Sequence, residues 1–222
     1  MASVSRPKYS QGPVSYIINL IGYSWAGNIN TPMPFWTDSD NNFTTPLPSY
    51  KLERLGVAIP GIAYTLNGND SIACDSYIDS FMRGYSWTPG TGSILSGVFI
   101  GDSGNLNMGN GADQIYGCVT GGNMTWKSAF YAGVANLGTI DMGAGNDTIS
   151  ASLKAVVNNT SIFYTIFNAG KIIMGTGSDR VYSPFYSIRN EGLIDLGADN
   201  DVIDSPELYN SGTRFEFCLN QI

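Results

Sequence analysis

The chain has 222 residues, with 18 acidic against 11 basic side chains, a net charge of −7 and no histidine. An acidic balance with scattered Lys and Arg excludes a phosphate-neutralising nucleic-acid interface. The lack of histidine removes His-based triads, His-ligated zinc and His general bases. Charged residues make up only 13 % while glycines number 27, which suits an all-β chain of many turns and short strands better than a helical bundle.

From the N-terminus, no run approaches the ~18 apolar residues of a transmembrane helix. MASVSRPKYSQGPVSYIINLIGYSW has no continuous apolar h-region. The expectation is therefore an extracellular or cell-surface protein exported without a conventional signal peptide, with a cytoplasmic one left open. Residues 1–60 are rich in proline and aromatics (TPMPFWTDSDNNFTTPLPSY) and carry no repeat. They read as a cap or interaction region, because the open end of a stacked β structure exposes strand edges and apolar surface. Asp38 and Asp40 have a D-x-D spacing, but the Gly and Glu of an EF-hand do not follow.

GYSW occurs at 22–25 and again at 84–87, the second copy preceded by Arg83. Tyr23, Tyr85 and Arg83 are the candidates for a ligand-binding or catalytic cluster, with Asp75 and Asp79 as further possibilities. Trp25, Trp36, Trp87 and Trp126 are the candidates for sugar stacking. The three cysteines, Cys74, Cys118 and Cys218, are far apart and odd in number, so they read as small core residues and not as a disulfide or zinc framework.

From residue 61 the chain is organised by a repeat. GNLNMGNGADQI at 104–115, GTIDMGAGNDTI at 138–149, GKIIMGTGSDRV at 170–181 and GLIDLGADNDVI at 192–203 align without a gap. LNGNDSI at 66–72 reads as an earlier copy one residue shorter, and NSGTRFEF at 210–217 as a partial later one. Asn136, Asn168 and Asn190 stand two residues before the first glycine, with Asp102 read into that place in the first full copy. A recurrence of this length signals a solenoid. Within each unit, apolar residues alternate at strand period: Ile140 and Met142, then Ile149, Ala151 and Leu153. The Gly-rich acidic stretch between them reads as a tight turn. The longer returns at 118–135 and 151–167 read as an added strand or flap.

Stacking such units would place Asp113, Asp147, Asp179 and Asp201 in a column at about the 4.8 Å inter-strand spacing. Four like charges so close call for a cation. The donors would all be oxygens, which suits calcium better than a transition metal.

The loops MGNGADQI, MGAGNDTI, MGTGSDRV and LGADNDVI resemble the nonapeptide calcium loops of RTX (hemolysin-type) proteins, with Met or Leu in place of the first glycine. The resemblance implies a right-handed parallel β-helix or β-roll over 61–222, with an irregular N-terminal cap over 1–60 and Ca²⁺ between successive turns. It carries the ligand aspartates over to Asp113, Asp147, Asp179 and Asp201. The turn glycines carry over to Gly109 and Gly111, Gly143 and Gly145, Gly175 and Gly177, and Gly197. Asp70, in the shorter copy, is a further candidate ligand, and Asp199 replaces the second glycine of the last loop. RTX blocks are contiguous nonapeptides, whereas here one acidic turn falls in each longer unit, so a single row of calcium sites is expected.

Three functions stay open at this point. The first is a calcium-stiffened structural or interaction module that partners itself, as a homo-oligomer, or another protein domain. The second is an enzyme or enzyme domain, since hemolysin-type calcium folds also occur in proteins similar to the cyanobacterial Friedel–Crafts alkylating, cyclophane-forming enzymes. The third is a carbohydrate-binding module. Metal-free solenoid corners with hydrogen-bonded aspartates are the plain structural alternative to a calcium row.

Overall fold

The computed structural model describes residues 42–44, 55–59, 62–65, 67–78, 85–86, 93–124, 129–157, 162–212 and 214–216. All regular structure among them is β, in parallel strands that form three sheets. The chain enters with β1 (Asn42–Thr44) and then runs a circuit of β2 (Leu55–Ile59), β3 (Ile62–Tyr64) and β4 (Ser71–Ile78). After a short β5 (Tyr85–Ser86), a second circuit follows as β6 (Ser93–Ile100), β7 (Asn105–Asn107) and β8 (Gln114–Met124). The third is β9 (Ala129–Asn136), β10 (Thr139–Asp141) and β11 (Thr148–Val157); the fourth is β12 (Ile162–Asn168), β13 (Lys171–Ile173) and β14 (Arg180–Tyr182). The fifth is β15 (Ile188–Asn190), β16 (Leu193–Asp195) and β17 (Val202–Asp204), and β18 (Leu208–Asn210) and β19 (Arg214–Glu216) begin a sixth.

Each circuit adds one strand to each sheet. Face one is β2-β6-β9-β12-β15-β18, face two is β3-β7-β10-β13-β16-β19, and face three is β1-β4-β8-β11-β14-β17. Among the described strands only β5 runs antiparallel, beside β6. This rotation through three sheets is compatible with a β-solenoid. The strands β1 and β2, from the region read as a cap, pair with β4 and β6 of these sheets.

Alternation explains why the sheets enclose one core. In the short strands of face two the middle residue points inward, and the inward residues stack: Ala63, Leu106, Ile140, Ile172 and Ile194 pair in register and are all buried. Face three contributes Ile72, Ile115, Ile149 and Val181, and face one contributes Val98, Val134, Ile166 and Ile188, to the same cluster. Met108, Met142, Met174 and Leu196 close it at the corner from face two to face three. Burial of such side chains, about 1.5–3 kcal/mol each, is the main term holding the rungs together.

The register corrects two expectations. The copy around Asp70 is not shortened: Tyr64 pairs with Asn107, Asn67 bridges Asn110 and Ser71 pairs with Gln114, so the two units align without a gap. Asp102 does not occupy the asparagine position. Ile100 pairs there with Asn136, and the longer corner that follows leaves Asp102 exposed, accepting a hydrogen bond from the Ser103 N–H. Each of the long returns carries a strand of face one, β9 in the first and β12 in the second. They also lengthen β8 to 11 residues and β11 to 10, which pair with each other along most of that length.

Candidate metal centre

The corner between faces two and three is where the repeat is strictest. Gly143 and Gly145 turn the chain with φ of 94° and 150°, and Gly109, Gly111, Gly175 and Gly177 repeat that geometry. Side chains rarely adopt such φ values. Space forbids them as well: a Cβ on Gly145 would lie 1.5 Å from the Gly111 carbonyl oxygen of the preceding circuit. Gly197 has φ 82°, and Asp199, in the second glycine's place, sits at φ 89°. Between the glycines, single residues bridge from circuit to circuit, Asn67 to Asn110 to Ala144 to Thr176 to Ala198. The Gly109 carbonyl accepts from the Ala144 N–H, and the Ala144 carbonyl accepts from the Gly111 N–H, so these turn carbonyls hydrogen-bond between circuits.

The aspartates form the expected column and are turned inward. Asp70, Asp113, Asp147 and Asp179 are each at most 1 % exposed, and Asp201 is half-buried. Asp113, Asp147, Asp179 and Asp201 each accept, through Oδ1, the backbone N–H of the aspartate one circuit earlier. Asp113 takes the Asp70 N–H at 2.7 Å, Asp147 takes that of Asp113 at 2.8 Å, Asp179 takes that of Asp147 at 2.8 Å, and Asp201 takes that of Asp179 at 2.9 Å. Asp70 is thereby a full member of the column. The second oxygens of Asp147 and Asp179 are buried and receive no hydrogen bond.

Burial dominates the electrostatics. Desolvation pushes the Asp147 carboxyl up to about 7, against the lowering effect of the Asp113 N–H; the charges of Asp113, Asp179 and Asp141 raise it further. Asp179 rises to about 6, again mainly by burial, with Asp201 and Asp199 adding to the shift. Burial likewise raises Asp201. An orphaned, desolvated carboxylate oxygen needs a proton or a cation. The donor set is hard oxygen, and glycine lines the cradle, so the column fits Ca²⁺ in chemistry. No three His, Cys, Asp or Glu side chains converge on one point among the described residues.

A second ladder runs along the corner between faces one and two, at the asparagines singled out in the sequence. Asn136 donates to Asn168 Oδ1 at 2.7 Å, Asn168 to Asn190 Oδ1 at 2.7 Å, and Asn190 to Asn210 Oδ1 at 3.0 Å. The same amides donate to the Lys171 and Leu193 carbonyls at 2.8 Å. This ladder is structural, since both amide protons of Asn136 and Asn168 are spent inside the fold.

Arg83, Tyr23, Asp79, Trp25, Trp36, Trp87, Trp126 and Cys218 lie outside the described residues. Tyr85 lies in β5, and Cys74 and Asp75 lie in β4. Cys118 is buried, as expected of a core residue. The sequence reading missed an open aromatic cleft beside face one, built on Phe163, Tyr164, Phe185, Tyr186 and Tyr209. Its signal was present as the adjacent aromatics of SPFYS (183–187), in the corner before β15, and the Tyr of PELYN (206–210), which runs into β18. No helix among the described residues is long and apolar enough to cross a membrane. No family model, curated protein or solved structure matches the chain.

Proposed function

We propose that the chain is a right-handed parallel β-helical module, related in design to RTX repeats, that takes Ca²⁺ along its glycine–aspartate corner. Its role is structural or interactive, in an extracellular or surface assembly. The observation that carries this reading is the buried column of aspartates in which Asp147 and Asp179 each keep an oxygen without a hydrogen bond. Asp113, Asp147, Asp179 and Asp201, with Asp70 at the first turn, would hold the ion. Bound calcium would supply the positive charge that lets the carboxylates stay ionised while buried. Val202 and Leu208, half exposed on the last rungs, support association with a second copy or another domain.

Chelation tests the reading. Thermal melts with calcium and with excess EGTA should differ by many degrees, since one site at 100-fold excess over its dissociation constant adds about 2.7 kcal/mol. An unchanged melt, with no calcium found by metal analysis, overturns it. The second reading would then stand: a metal-free corner in which buried aspartates keep protons. That reading is favoured by the turn carbonyls already engaged between circuits. The enzyme and tryptophan-based carbohydrate readings draw on side chains outside the described set, and nothing described here favours them.

A further inference from the structure

Beside the last rungs of face one lies a cleft of about 540 Å³. Phe163 and Tyr164 reach it from β12, Phe185 and Tyr186 from the corner before β15, and Tyr209 from β18; Glu207 stands at its edge. Phe185 is 68 % exposed and Tyr209 52 %, a large apolar outlay for side chains that pack no core. The rings of Tyr164 and Tyr209 stand 6.2 Å apart at 69°, so they form adjacent walls and do not lie as a flat platform. The Tyr209 hydroxyl donates to Glu207 Oε2 at 2.9 Å, which holds the carboxylate beside the rings. Among the described residues no lysine or arginine lines the cleft itself, and Arg189 lies against Tyr164, one of its walls.

Aromatic faces carry the negative end of the ring quadrupole, and a carboxylate adds a full charge, so the complement of this lining is a cation. One ring already serves in that way: the Arg189 guanidinium lies 5.3 Å from the Tyr164 centroid and donates to its hydroxyl at 2.7 Å. Rings set at an angle favour a rounded cation whose charge is spread over methyl groups, because such a cation leaves water cheaply and offers apolar surface to every wall. A primary ammonium would need several hydrogen-bond acceptors, which the side chains of the lining supply only at Glu207, Ser187 and the tyrosine hydroxyls. A sugar would need several polar partners around its rim, and the same two side chains and the tyrosine hydroxyls supply few. We propose that this cleft binds a quaternary or fully methylated ammonium group.

The test uses the full chain and isothermal titration with choline and tetramethylammonium. The neutral isostere 3,3-dimethylbutan-1-ol and maltotriose serve as controls. Both cations should bind, and neither control should at the same concentration. Glu207→Gln should weaken choline by about fivefold, and Tyr209→Ala or Phe185→Ala by at least as much. All three side chains are on the surface, and unchanged circular dichroism would confirm that each variant folds. Retention on phosphatidylcholine but not phosphatidylglycerol vesicles would identify a lipid head group as the source. Choline binding without vesicle retention would identify a soluble ammonium. No heat with either cation, equal binding by the neutral isostere, or binding of maltotriose instead overturns the proposal.

Discussion

Asp199 shows how a single residue records the geometry of its neighbours. In the three preceding turns its position is a glycine with φ between 132° and 150°, whereas Asp199 is held at 89°. Aspartate tolerates the left-handed region better than most residues, but at a cost of about 1 kcal/mol against glycine. Its carboxylate also raises the proton affinity of both Asp179 and Asp201. Asp199→Gly should therefore stabilise the protein, raising the melting temperature by about 2–4 °C. A melt that falls by as much would show that Asp199 contributes something the described geometry does not contain, such as a ligand oxygen.

At the scale of the element, the asparagine ladder is the stringent test, because its geometry leaves no room for a near-isostere. Asn168 gives one amide proton to Asn190 Oδ1 and the other to the Leu193 carbonyl, while its own oxygen accepts from Asn136. Asn168→Asp keeps shape and loses both donors, setting a carboxylate against two acceptors in a fully buried site. We expect a loss of about 3 kcal/mol or more, larger than that of Asn168→Ser, measured by urea unfolding. Comparable losses for the two variants would mean that the carboxylate facing two acceptors adds little to the loss of the amide protons.

Elements of this kind were the most legible in the sequence. The period-2 rungs, the glycine corner and Asn136, Asn168 and Asn190 could all be read, because each depends on residues a few positions apart. What stayed hidden was set by pairing between circuits. The Asp70 unit looked shortened because Thr65 and Leu66 stand where Met108 and Gly109 do in the next unit, and only the ungapped pairing restores the match. Asp102 looked like a ladder member because spacing from the first glycine cannot reveal that the corner before Gly104 is longer. The aromatic cleft escaped for the same reason: Tyr164, Phe185 and Tyr209 come from three circuits, and their meeting is a property of the stack.

For the whole molecule, the aspartate column makes stability depend on pH with a definite sign. The folded-state values of Asp147 and Asp179 lie near 7 and 6, above the ordinary carboxylate value of 3.8. The folded protein thus holds more protons than the unfolded chain between about pH 4 and 7. Without metal, the contribution of these groups is fully present below about pH 4 and is lost as pH rises through 6 and 7. Melting temperature in EGTA should fall between pH 5 and pH 8, and saturating calcium should remove or reverse that fall. Identical profiles with and without calcium would separate the column from any metal.

The circuits themselves shorten toward the C-terminus: successive aspartates of the column are 43, 34, 32 and 22 residues apart. A stack whose rungs touch only their neighbours peels from an end, and a pulled chain reports each loss as a jump in length. Drawn from the C-terminus in an optical trap, the last complete circuit should release about 7–8 nm of contour, and later jumps should grow to about 14–15 nm. The unequal repeat would thus act as a ruler, with the size of each jump naming the rung that gave way.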